Sequence, residues 1–387
     1  MPAPIGSSGA AGPAAIHDPP IEVLWLIKGL GPGGAEHLLV STARAADRGR
    51  FRFTVAYLLD WKDALVAPLE AEEVAVRCLG VTDARDLRWA LRLRRFLRQH
   101  PFDIVHVHSP LVAAVARIVL LTLRDRPVMV SSEHNSWASH STATRWLNRV
   151  TYRLDTAHIA VSSQVLSSLP AHLRDRTEVL VHGVDVAAVQ AQRGDRAAAR
   201  DELGIGPDQF AVCTIANLRW QKGYPDLMAA ARQVIDEGHD VVFLAVGQGP
   251  LEAELRRRHA ELGLGERFRL LGHRSDATRI LAASDLFALA SVHEGYPLAV
   301  MEALAAGVPV VATDAGGVPE AVRVGVEGLV VPSEQPAQLA AAISRLLVDG
   351  DLRGRMAAAA TVRGRAFDIA GPVARTEEIY RSAIARQ

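Results

Sequence analysis

The sequence has little cysteine, no excess of either charge and no long apolar run. Its two cysteines, Cys78 and Cys213, both lie in apolar stretches. This placement favours small core residues over a disulfide or a metal site, and it fits a reducing cytoplasm. Lysine plus arginine and aspartate plus glutamate number 43 each, so the overall charge does not indicate a nucleic-acid-binding protein. No apolar run reaches the roughly 18 residues expected of a membrane span.

The length and the first residues predict a leader followed by two domains. A chain of 387 residues exceeds the usual size of one hydrophobic core, so two domains of ordinary size are expected. Residues 1–20 lack the charged start and apolar centre of a signal peptide and are instead rich in Ala, Gly, Pro and Ser. This composition predicts a disordered leader.

The first ordered segment predicts an α/β domain. An apolar run over 21–28 is followed by Gly29-Leu30-Gly31-Pro32-Gly33-Gly34 and then by helical spacing over 35–47. A strand, a glycine-rich turn and a helix open a dinucleotide-type fold. Because strands and helices continue to alternate, we predict a parallel sheet covered on both faces. Further strands are predicted over 53–59, 75–79, 102–108, 128–132 and 159–162, with helices over 86–99 and 111–123.

The second half repeats this pattern. Residues 21–185 are predicted as the first domain, a polar segment over 186–206 as a linker, and residues 207–371 as the second domain. The last helix, within 372–387, is a candidate to cross back onto the first domain. Two such halves form a cleft at the carboxyl ends of both sheets, where ligands of open α/β folds bind. Second-domain strands are predicted over 211–215, 241–246, 268–271, 286–289, 308–312 and 328–331.

Two carboxylates flank the start of one helix in the second half. Pro297 is predicted as the first helical residue, a helix is predicted over 298–306, and Gly307 is placed to end it in a left-handed conformation. Glu294 then lies in the loop before the helix, and Glu302 lies one to two turns inside it on the same side. Free N–H groups at a helix start attract phosphate, and a nearby carboxylate accepts hydrogen bonds from sugar hydroxyls. The pattern therefore suits a sugar nucleotide.

Five motifs follow one another along the chain and carry a family resemblance. They are Gly33-Gly34-Ala35-Glu36, Lys222-Gly223, Gly247-Gln248-Gly249-Pro250, the run from Glu294-Gly295-Tyr296-Pro297 through Glu302-Ala303 to Gly307-Val308-Pro309-Val310, and Gly316-Gly317-Val318-Pro319-Glu320. With these motifs, residues 21–387 resemble the retaining glycosyltransferases of family 4. The resemblance implies the GT-B fold, in which the parallel sheets of two Rossmann-like domains face each other across a cleft.

The resemblance also implies a reaction. Such enzymes move a sugar from a nucleotide-diphosphate donor to a hydroxyl acceptor with retention of configuration, and neither a metal nor a cofactor is expected. Glu302 is expected to accept the ribose hydroxyls and Glu294 a hydroxyl of the transferred sugar, with the amides near Leu298 and Ala299 at the phosphates. Retention would follow from front-face attack, in which the leaving phosphate takes the proton of the acceptor hydroxyl.

Two cations follow the first strand of the second domain. Arg219 and Lys222 lie three residues apart before a helix, so both can reach a pyrophosphate and stabilise it as a leaving group. The family often has an arginine five residues before its lysine, but Asn217 stands there in this chain. We therefore expect Arg219 to supply the second cation.

Several residues are predicted to line the cleft from the first domain. Gly33 and Gly34 let the backbone approach the donor closely. His134, at a strand end, matches the family's first-domain histidine that contacts the donor sugar, although a lone histidine is more often a core or surface residue. His106 and His108 point to one face of their strand, and His108 is placed to line the cleft. No Asp or Cys cluster completes a metal site with them.

Two further positions of the second domain are assigned with alternatives open. Gly272 and His273 follow a strand and are candidates to border the nucleotide base. Glu320 resembles the family's motif near the nucleotide, and a helix-capping role is the alternative.

Among functions, a sugar-nucleotide epimerase of the same fold and a non-catalytic sugar-nucleotide-binding protein remain alternatives to the transferase.

The acceptor is not specified by the sequence. A cell-surface glycan, a lipid-linked or glycolipid acceptor and a small molecule all remain open, and the segment 137–153 is the expected acceptor region. Arginines from Arg85 to Arg98 lie on a predicted helix opposite Trp89, Leu93, Phe96 and Leu97. This helix could contact an anionic membrane, but packing of its apolar side on the sheet is favoured. The expected location is cytoplasmic, with the inner face of the cell membrane as a candidate.

Overall fold

The computed structural model describes residues 19–387. The predicted leader therefore lies, up to residue 18, outside the described residues. From Ile21 onward the chain forms two α/β domains, each built on a fully parallel sheet. This architecture confirms the predicted fold class.

The first sheet contains seven strands within the described part of the chain, in the order β3-β2-β1-β4-β5-β6-β7. The predicted strands occur within a few residues of their expected ends, and β7 was not predicted because it is only three residues long and contains Thr and Glu. The strands are β1 (Ile21–Ile27), β2 (Phe51–Leu59), β3 (Ala75–Val81), β4 (Ile104–Val107), β5 (Val128–Glu133), β6 (Ala157–Ala160) and β7 (Thr177–Val179).

Helices cover both faces of this sheet, and its apolar side chains form two core clusters, one on each face. In α3, Trp89, Leu93 and Leu97 are buried, so the apolar side of the arginine-rich helix packs on the sheet, as favoured. The first-domain helices are α1 (Gly34–Ala45), α2 (Val66–Ala71), α3 (Arg88–Gln99), α4 (Pro110–Leu121), α5 (Thr142–Thr151), α6 (Ser163–Ser168) and α7 (Ala171–Arg174).

The second sheet has the order β10-β9-β8-β11-β12-β13. Its strands are apolar along almost their whole length because helices cover both faces. They are β8 (Phe210–Ile215), β9 (Val241–Val246), β10 (Phe268–Gly272), β11 (Leu286–Leu289), β12 (Val310–Thr313) and β13 (Gly328–Val331).

The segment predicted as a linker, 186–206, is instead helical and packs on the second domain. Its helices are α8 (Val186–Ala191) and α9 (Arg196–Glu202). Arg196 and Arg200 both pair with the carboxylate of Asp285, at 2.6 and 3.2 Å. The polar residues that suggested a linker therefore include arginines that form ion pairs with a residue more than 80 positions away.

The remaining helices surround the second sheet, except the last one. They are α10 (Tyr224–Asp236), α11 (Glu252–Glu261), α12 (Ala277–Ala283), α13 (Leu298–Ala305), α14 (Val318–Ala321), α15 (Pro336–Val348), α16 (Gly350–Gly364) and α17 (Ala370–Ile384).

Helix α17 packs on the first domain. The hydroxyl of Tyr380 accepts a hydrogen bond from the indole N–H of Trp25 at 3.1 Å and lies 2.6 Å from Nδ1 of His106. Where the chain returns, the amide of Val184 donates to the carbonyl of Phe367, and the amide of Ile369 donates to the carbonyl of Val184. The two connections between the domains thus run side by side.

Candidate functional site

The candidate site lies at the carboxyl ends of β8 and β11, facing the first domain. Lys222 follows β8, and its Nζ donates to Oε1 of Glu294, which follows β11, at 2.6 Å. The side chain of Glu294 is only 7% exposed. Its Oε1 also accepts a hydrogen bond from the hydroxyl of buried Ser291 at 2.6 Å. A cation and a carboxylate that we assigned to different parts of the donor are therefore held as one pair.

Backbone contacts hold the two loops together. The amides of Val292 and His293 both donate to the carbonyl of Gln221, so the loop of Lys222 and the loop of Glu294 form a single unit. Gly223 has φ +60°, and a Cβ there would lie 1.9 Å from the carbonyl oxygen of Ala290. A glycine is therefore required beside Lys222 both for its left-handed conformation and for this close approach.

The start of α13 lies between these loops and the glycine turn of the first domain. Pro297 precedes the helix as its N-cap instead of being its first residue, and Leu298 begins it. A Cβ on Gly34 would lie 3.4 Å from the side chain of Leu298, so the turn and the helix start face each other. Within the described residues, the amides of Leu298 and Ala299 have no backbone acceptor. Two free N–H groups and the helix dipole make this position suited to a phosphate.

Glu302 lies on the same side of α13 as Leu298, one turn further along, and is half-buried. Gly307 has φ +70°, as predicted for the residue that ends the helix. Among the described residues, the carboxylate of Glu302 takes part in no ion pair. Burial raises the pKa of Glu302 from 4.5 to about 7, because desolvation disfavours its charged form. This carboxyl group therefore changes charge near neutral pH.

Gly33 and its neighbours place charges on the opposite wall of the cleft. Gly33 is the N-cap of α1, and a Cβ there would collide with the carboxylate of Glu36. Burial raises the pKa of Glu36, while the positive charges of Lys62 and Arg219 act against that rise. The pKa of Lys62 is lowered, first by burial and then by Arg219. Arg219 of the second domain is therefore close enough to interact with charges on the first.

Arg219 is exposed, and within the described residues it forms no ion pair, whereas Asn217 is half-buried. The backbone amide of Arg219 donates to the carbonyl of Asn217 at 2.7 Å. The effect of its positive charge on the pKa values of Glu36 and Lys62 places the guanidinium near these two side chains of the first domain. Its assignment to the pyrophosphate stays a prediction.

His134 lies at the end of β5, directly opposite the loop of Glu294. A Cβ on Gly295 would lie 2.0 Å from the carbonyl oxygen of His134, so the two domains touch through backbone at this point. Nε2 of His134 lies 3.2 Å from Nδ1 of His108, and the ring stacks on His182. Burial lowers the pKa of His134 to about 4, so the imidazole is neutral at physiological pH.

His106 and His108 belong to the interior of the first domain. Burial lowers the pKa of His106 to about 3 and lowers that of His108 well below its ordinary value. Together with His134, His182 and Tyr380 they line a cavity of about 50 Å³. Within residues 19–387, no group of three or more His, Cys, Asp or Glu side chains is arranged to hold a metal ion.

Gly272 and His273 lie at the end of β10. Gly272 has φ +71°, and His273 is exposed. The pKa of His37 on α1 is lowered, first by burial and then by His273. The two histidines therefore approach each other from opposite domains, which places His273 at the border of the cleft.

Glu320 forms a contact between the domains. Its carboxylate oxygens accept hydrogen bonds from the amides of Ser163 and Gln164, at 3.3 and 3.2 Å. These amides begin α6 of the first domain, where a carboxylate is favoured by the helix dipole. Of the two roles left open by the sequence, the structure shows the helix-capping one.

Two family sequence models match the chain in consecutive segments. The model described as Glycosyltransferase Family 4 matches residues 32–188, and the model described as Glycosyl transferases group 1 matches residues 195–363. Their order corresponds to the first and second α/β domains. The chain belongs to glycosyltransferase family 4.

Curated relatives of this family 4 chain carry several names. The D-inositol 3-phosphate glycosyltransferase of Nocardia farcinica (strain IFM 10152) is 32% identical over 288 residues, which cover 72% of this chain and 61% of the relative. The UDP-Gal:alpha-D-GlcNAc-diphosphoundecaprenol alpha-1,3-galactosyltransferase of Escherichia coli is 29% identical over 272 residues, covering 66% and 69%. The match thus spans about three fifths of the length of the first of these relatives.

A solved structure shares the architecture of the family 4 chain. Anabaena Alr3699/HepE in complex with UDP and glucose superposes with a TM-score of 0.82 at 24% sequence identity, covering 94% of this chain and 100% of the other. At this identity the likeness shows the fold. It confirms the GT-B arrangement implied by the sequence motifs.

Some residues of this family 4 site carried no sequence signal that assigned them a role. Ser291 is a serine three residues before a glutamate, a common spacing, and only the structure shows its hydroxyl on Glu294. Lys62 lies in a loop after β2, and its backbone carbonyl accepts a hydrogen bond from the amide of Leu30 in the glycine-rich turn. Glu36 is an exception, because it ends the Gly33-Gly34-Ala35-Glu36 motif, and its position on the cleft wall could have been inferred from that motif.

The raised pKa of Glu302 predicts opposite effects on stability and donor binding in this family 4 protein. Because the folded state holds a proton to a higher pH than the unfolded chain, Glu302 opposes folding increasingly as pH rises from 4.5 to about 7. Glu302→Gln is therefore expected to raise the free energy of unfolding at pH 8 by at most about 3 kcal/mol. Thermal unfolding of both proteins at pH 5 and pH 8 measures this, and the difference should be about fourfold smaller at pH 5.

Donor binding should change in the other direction. If the charged carboxylate accepts the ribose hydroxyls, the affinity of the parent protein for a nucleotide diphosphate falls about tenfold between pH 8 and pH 6, since only about a tenth of the molecules are then ionised. Glu302→Gln should bind more weakly at pH 8 and show no such dependence. Parallel pH profiles for parent and variant, measured by calorimetry, would contradict the ribose assignment.

Proposed function

We propose that this protein transfers a sugar from a nucleotide-diphosphate sugar to a hydroxyl acceptor with retention of configuration. The observation that carries the proposal is the Lys222–Glu294 pair beside the free amides at the start of α13. The pair and the amides lie opposite the Gly33–Gly34 turn, in the cleft between the domains. Family membership and the names of the relatives support the same reaction class.

In this proposal the second domain holds the donor. The amides of Leu298 and Ala299 face the phosphates, Glu302 accepts the ribose hydroxyls, and Gly272 and His273 border the base. Positive charge from Lys222 and Arg219 stabilises the departing nucleoside diphosphate as its bond to the anomeric carbon breaks. Since protein cations and helix amides supply this charge, we propose that no cofactor or metal is needed.

The sugar and its acceptor lie toward the first domain. Glu294 accepts a hydroxyl of the transferred sugar while Lys222 fixes its carboxylate. Neutral His134 contacts the sugar near the reacting carbon, where an uncharged imidazole does not oppose the positive charge that develops there. The acceptor hydroxyl attacks from the side of the leaving phosphate, which takes its proton. The segment 137–153, directly after β5, is the proposed acceptor region.

We propose a cytoplasmic location, and the two cysteines support it. Cys78 and Cys213 are both free thiols, which supports a reducing, cytoplasmic compartment. None of the described helices has the length and apolar character needed to cross a membrane. The contact with a membrane considered for the Arg85–Arg98 helix loses support, because Trp89, Leu93 and Leu97 of α3 are buried.

Donor turnover is the decisive test of the proposed function. Incubation with a panel of nucleotide sugars, beginning with UDP-glucose because a fold neighbour was solved with it, is expected to release nucleoside diphosphate from one of them. Added EDTA should leave the rate unchanged, and Glu294→Ala should abolish the release. NMR should show the same anomeric configuration in donor and product.

Other outcomes would favour the alternatives. An isomerised sugar nucleotide without release of nucleoside diphosphate would indicate an epimerase. Thermal stabilisation by a sugar nucleotide, about 2.7 kcal/mol at 100 times its dissociation constant, without turnover on any glycan, lipid-linked or small-molecule acceptor would indicate a binding protein. Loss of turnover in EDTA would contradict the proposed metal independence.

A further inference from the structure

Lysine is rare in this chain, and its positions share one structural feature. Among 43 lysines and arginines, lysine occurs only at Lys28, Lys62 and Lys222. They follow the carboxyl ends of the parallel strands β1, β2 and β8, at the edge of each sheet that faces the cleft. An ammonium is a compact point charge with three donors on a flexible stem, whereas the guanidinium of arginine is a planar fork. Lysines gathered in this way are typical of phosphate binding.

The lysine of the second domain is already compensated. Nζ of Lys222 lies 2.6 Å from Oε1 of Glu294, so this pair carries no net charge. Each phosphate of a sugar-linked diphosphate is anionic, and more negative charge develops as the sugar departs. Of the two cations of the second domain that we assign to the diphosphate, only Arg219 is therefore uncompensated. The ligand carries more charge than this one cation balances.

The side chain of Lys62 lies across the glycine-rich turn of the first domain. A Cβ on Gly29 would lie 2.8 Å from Cβ and Cδ of Lys62, so the aliphatic stem fills the space above that glycine. The amide of Leu30 donates to the carbonyl of Lys62 at 2.7 Å. The same turn meets the start of α13, where Gly34 faces Leu298. Lys62 therefore belongs to the wall that stands opposite the free amides of α13.

The ammonium of Lys62 has an aromatic ring as its neighbour and no carboxylate partner. Its Nζ lies 5.0 Å from the centroid of the Trp61 ring, whose indole N–H donates to the carbonyl of Thr82 at 3.1 Å. In the described part of the chain, neither Lys62 nor Lys28 forms an ion pair, whereas Lys222 does. A neutral ring attracts the ammonium without cancelling its charge. The positive charge of Lys62 is thus available to a ligand.

Three cations approach one another at this wall. The pKa of Lys62 is lowered, first by burial and then by the positive charge of Arg219, and Lys28 lowers it further. Glu36 acts against this lowering, but burial raises the pKa of Glu36 itself and so disfavours its charged form. Like charges that lie close together repel each other. A bound anion would relieve that repulsion.

We propose that Lys62, assisted by Lys28, binds the diphosphate of the donor from the first domain. The diphosphate lies between these ammonium groups on one side and Arg219 with the amides of α13 on the other. When the bond between the anomeric carbon and the phosphate oxygen breaks, its electron pair stays on that oxygen, where the cations stabilise it. A phosphate on the acceptor has the same chemistry, but the position of the turn opposite the start of α13 favours the donor.

A charge-removing variant with the same stem tests this assignment. Lys62→Met keeps an unbranched apolar side chain on the turn and removes only the ammonium. Because the assignment rests on the proposed function, the full chain is first titrated with UDP, dTDP, GDP, ADP and CDP by calorimetry, and the tightest ligand becomes the probe. Its dissociation constant should rise about tenfold to a hundredfold in Lys62→Met, as expected when a hydrogen bond to a charged group is lost. The loss should shrink at high salt, which screens charges but does not repair a damaged turn.

The neighbouring charges should act with opposite signs. Lys28 is exposed, so Lys28→Met should weaken binding of the probe only about twofold to fivefold. Glu36→Gln removes negative charge beside the bound anion and should strengthen binding about twofold to fivefold. A loss of local packing would weaken binding in every variant, so the gain in Glu36→Gln separates charge from structure.

Arg48→Met is the matched control on the first domain. The guanidinium of Arg48 lies 5.6 Å from the centroid of the Phe53 ring, so this cation also contacts an aromatic ring, and among residues 19–387 it forms no ion pair. Arg48 precedes β2 and therefore lies at the opposite edge of the sheet from Lys62. Its replacement removes the same charge and should leave the affinity for the probe unchanged.

The outcomes separate this assignment from the proposed function. If the parent binds none of the five diphosphates, the proposed function fails and the assignment fails with it. If the parent binds one of them and Lys62→Met binds it within about threefold of the parent, less than the loss of a charged hydrogen bond, only the assignment fails. An equal loss in Arg48→Met would place the effect in net charge and overturn the assignment. Parental affinity in Lys62→Met with slower transfer to a phosphorylated acceptor would assign the lysine to the acceptor instead.

Discussion

Replacement of Lys222 by alanine is expected to lower kcat for donor turnover by about 100-fold to 1,000-fold, the loss typical when one preorganised charge or donor at a developing anion is removed. Its Nζ lies 2.6 Å from Oε1 of Glu294, and the loops of both residues follow strands, β8 and β11, whose carboxyl ends face the cleft between the domains. The same substitution leaves the 7% exposed carboxylate of Glu294 with Ser291 as its hydrogen-bond partner. Steady-state release of nucleoside diphosphate measures the effect.

A double variant separates chemistry from folding in this experiment. Lys222→Ala alone should lower the melting temperature, because it leaves the mostly buried carboxylate of Glu294 without its cation. Lys222→Ala/Glu294→Gln removes both charges and keeps an oxygen that can accept from Ser291, so it should recover that loss and stay inactive. Arg256→Ala, which breaks an exposed ion pair of the same domain with Glu252, should change neither rate nor stability. Turnover by Lys222→Ala within about threefold of the parent would show that this cation does not face the leaving group, since removal of such a charge costs far more.

Replacement of Gly295 by alanine is the second substitution for which we expect a large effect. The added Cβ would lie 2.0 Å from the carbonyl oxygen of His134 in the other domain. Overpacking of this kind costs about 1–3 kcal/mol, and the cost falls on the arrangement in which the two domains touch. Donor turnover should therefore fall about 5-fold to 150-fold. Stability should change little, because the domains can relieve the collision by separating.

Small-angle scattering distinguishes this explanation from local damage. Gly295→Ala should have a larger radius of gyration than the parent, while Gly354→Ala should not. Gly354 lies in α16 with no atom within 4 Å of an added Cβ, so that substitution should leave turnover unchanged and stabilise the helix by about 0.5–1 kcal/mol. Parental turnover and an unchanged radius in Gly295→Ala would show that the backbone contact at His134 is not part of the reacting state.

Much of the fold could be predicted because apolar runs report buried parallel strands directly. Strands such as β9 are covered on both faces, so their sequence is continuously apolar and their ends are clear. The short β7 has no such run. The segment 186–206 was misread because its polar residues suggested exposure, whereas Arg196 and Arg200 meet Asp285. Local composition cannot indicate a partner that lies that far along the chain.

The candidate site was predicted in part. The motifs predicted one cleft for Glu294, Lys222, the start of α13 and Gly34, and the structure brings these residues together, because residues at the carboxyl ends of parallel strands share one edge of a sheet. Their roles stay predictions. The pairing of Lys222 with Glu294 depends on how the two loops bond to each other, which no spacing along the chain reveals. The cap that Glu320 places on α6 depends on the relative position of the domains.

The return of α17 to the first domain has a consequence for biosynthesis. Tyr380 and Val373 pack in the core formed by β1 and β2, and Tyr380 bonds Trp25 and His106 from across the chain. A ribosome releases residues in order, and domains that are contiguous in sequence can fold before translation ends. Here the second domain, whose residues are contiguous, can complete its core first. The amino-terminal domain must wait with Trp25 uncovered until Tyr380, 355 residues later, emerges.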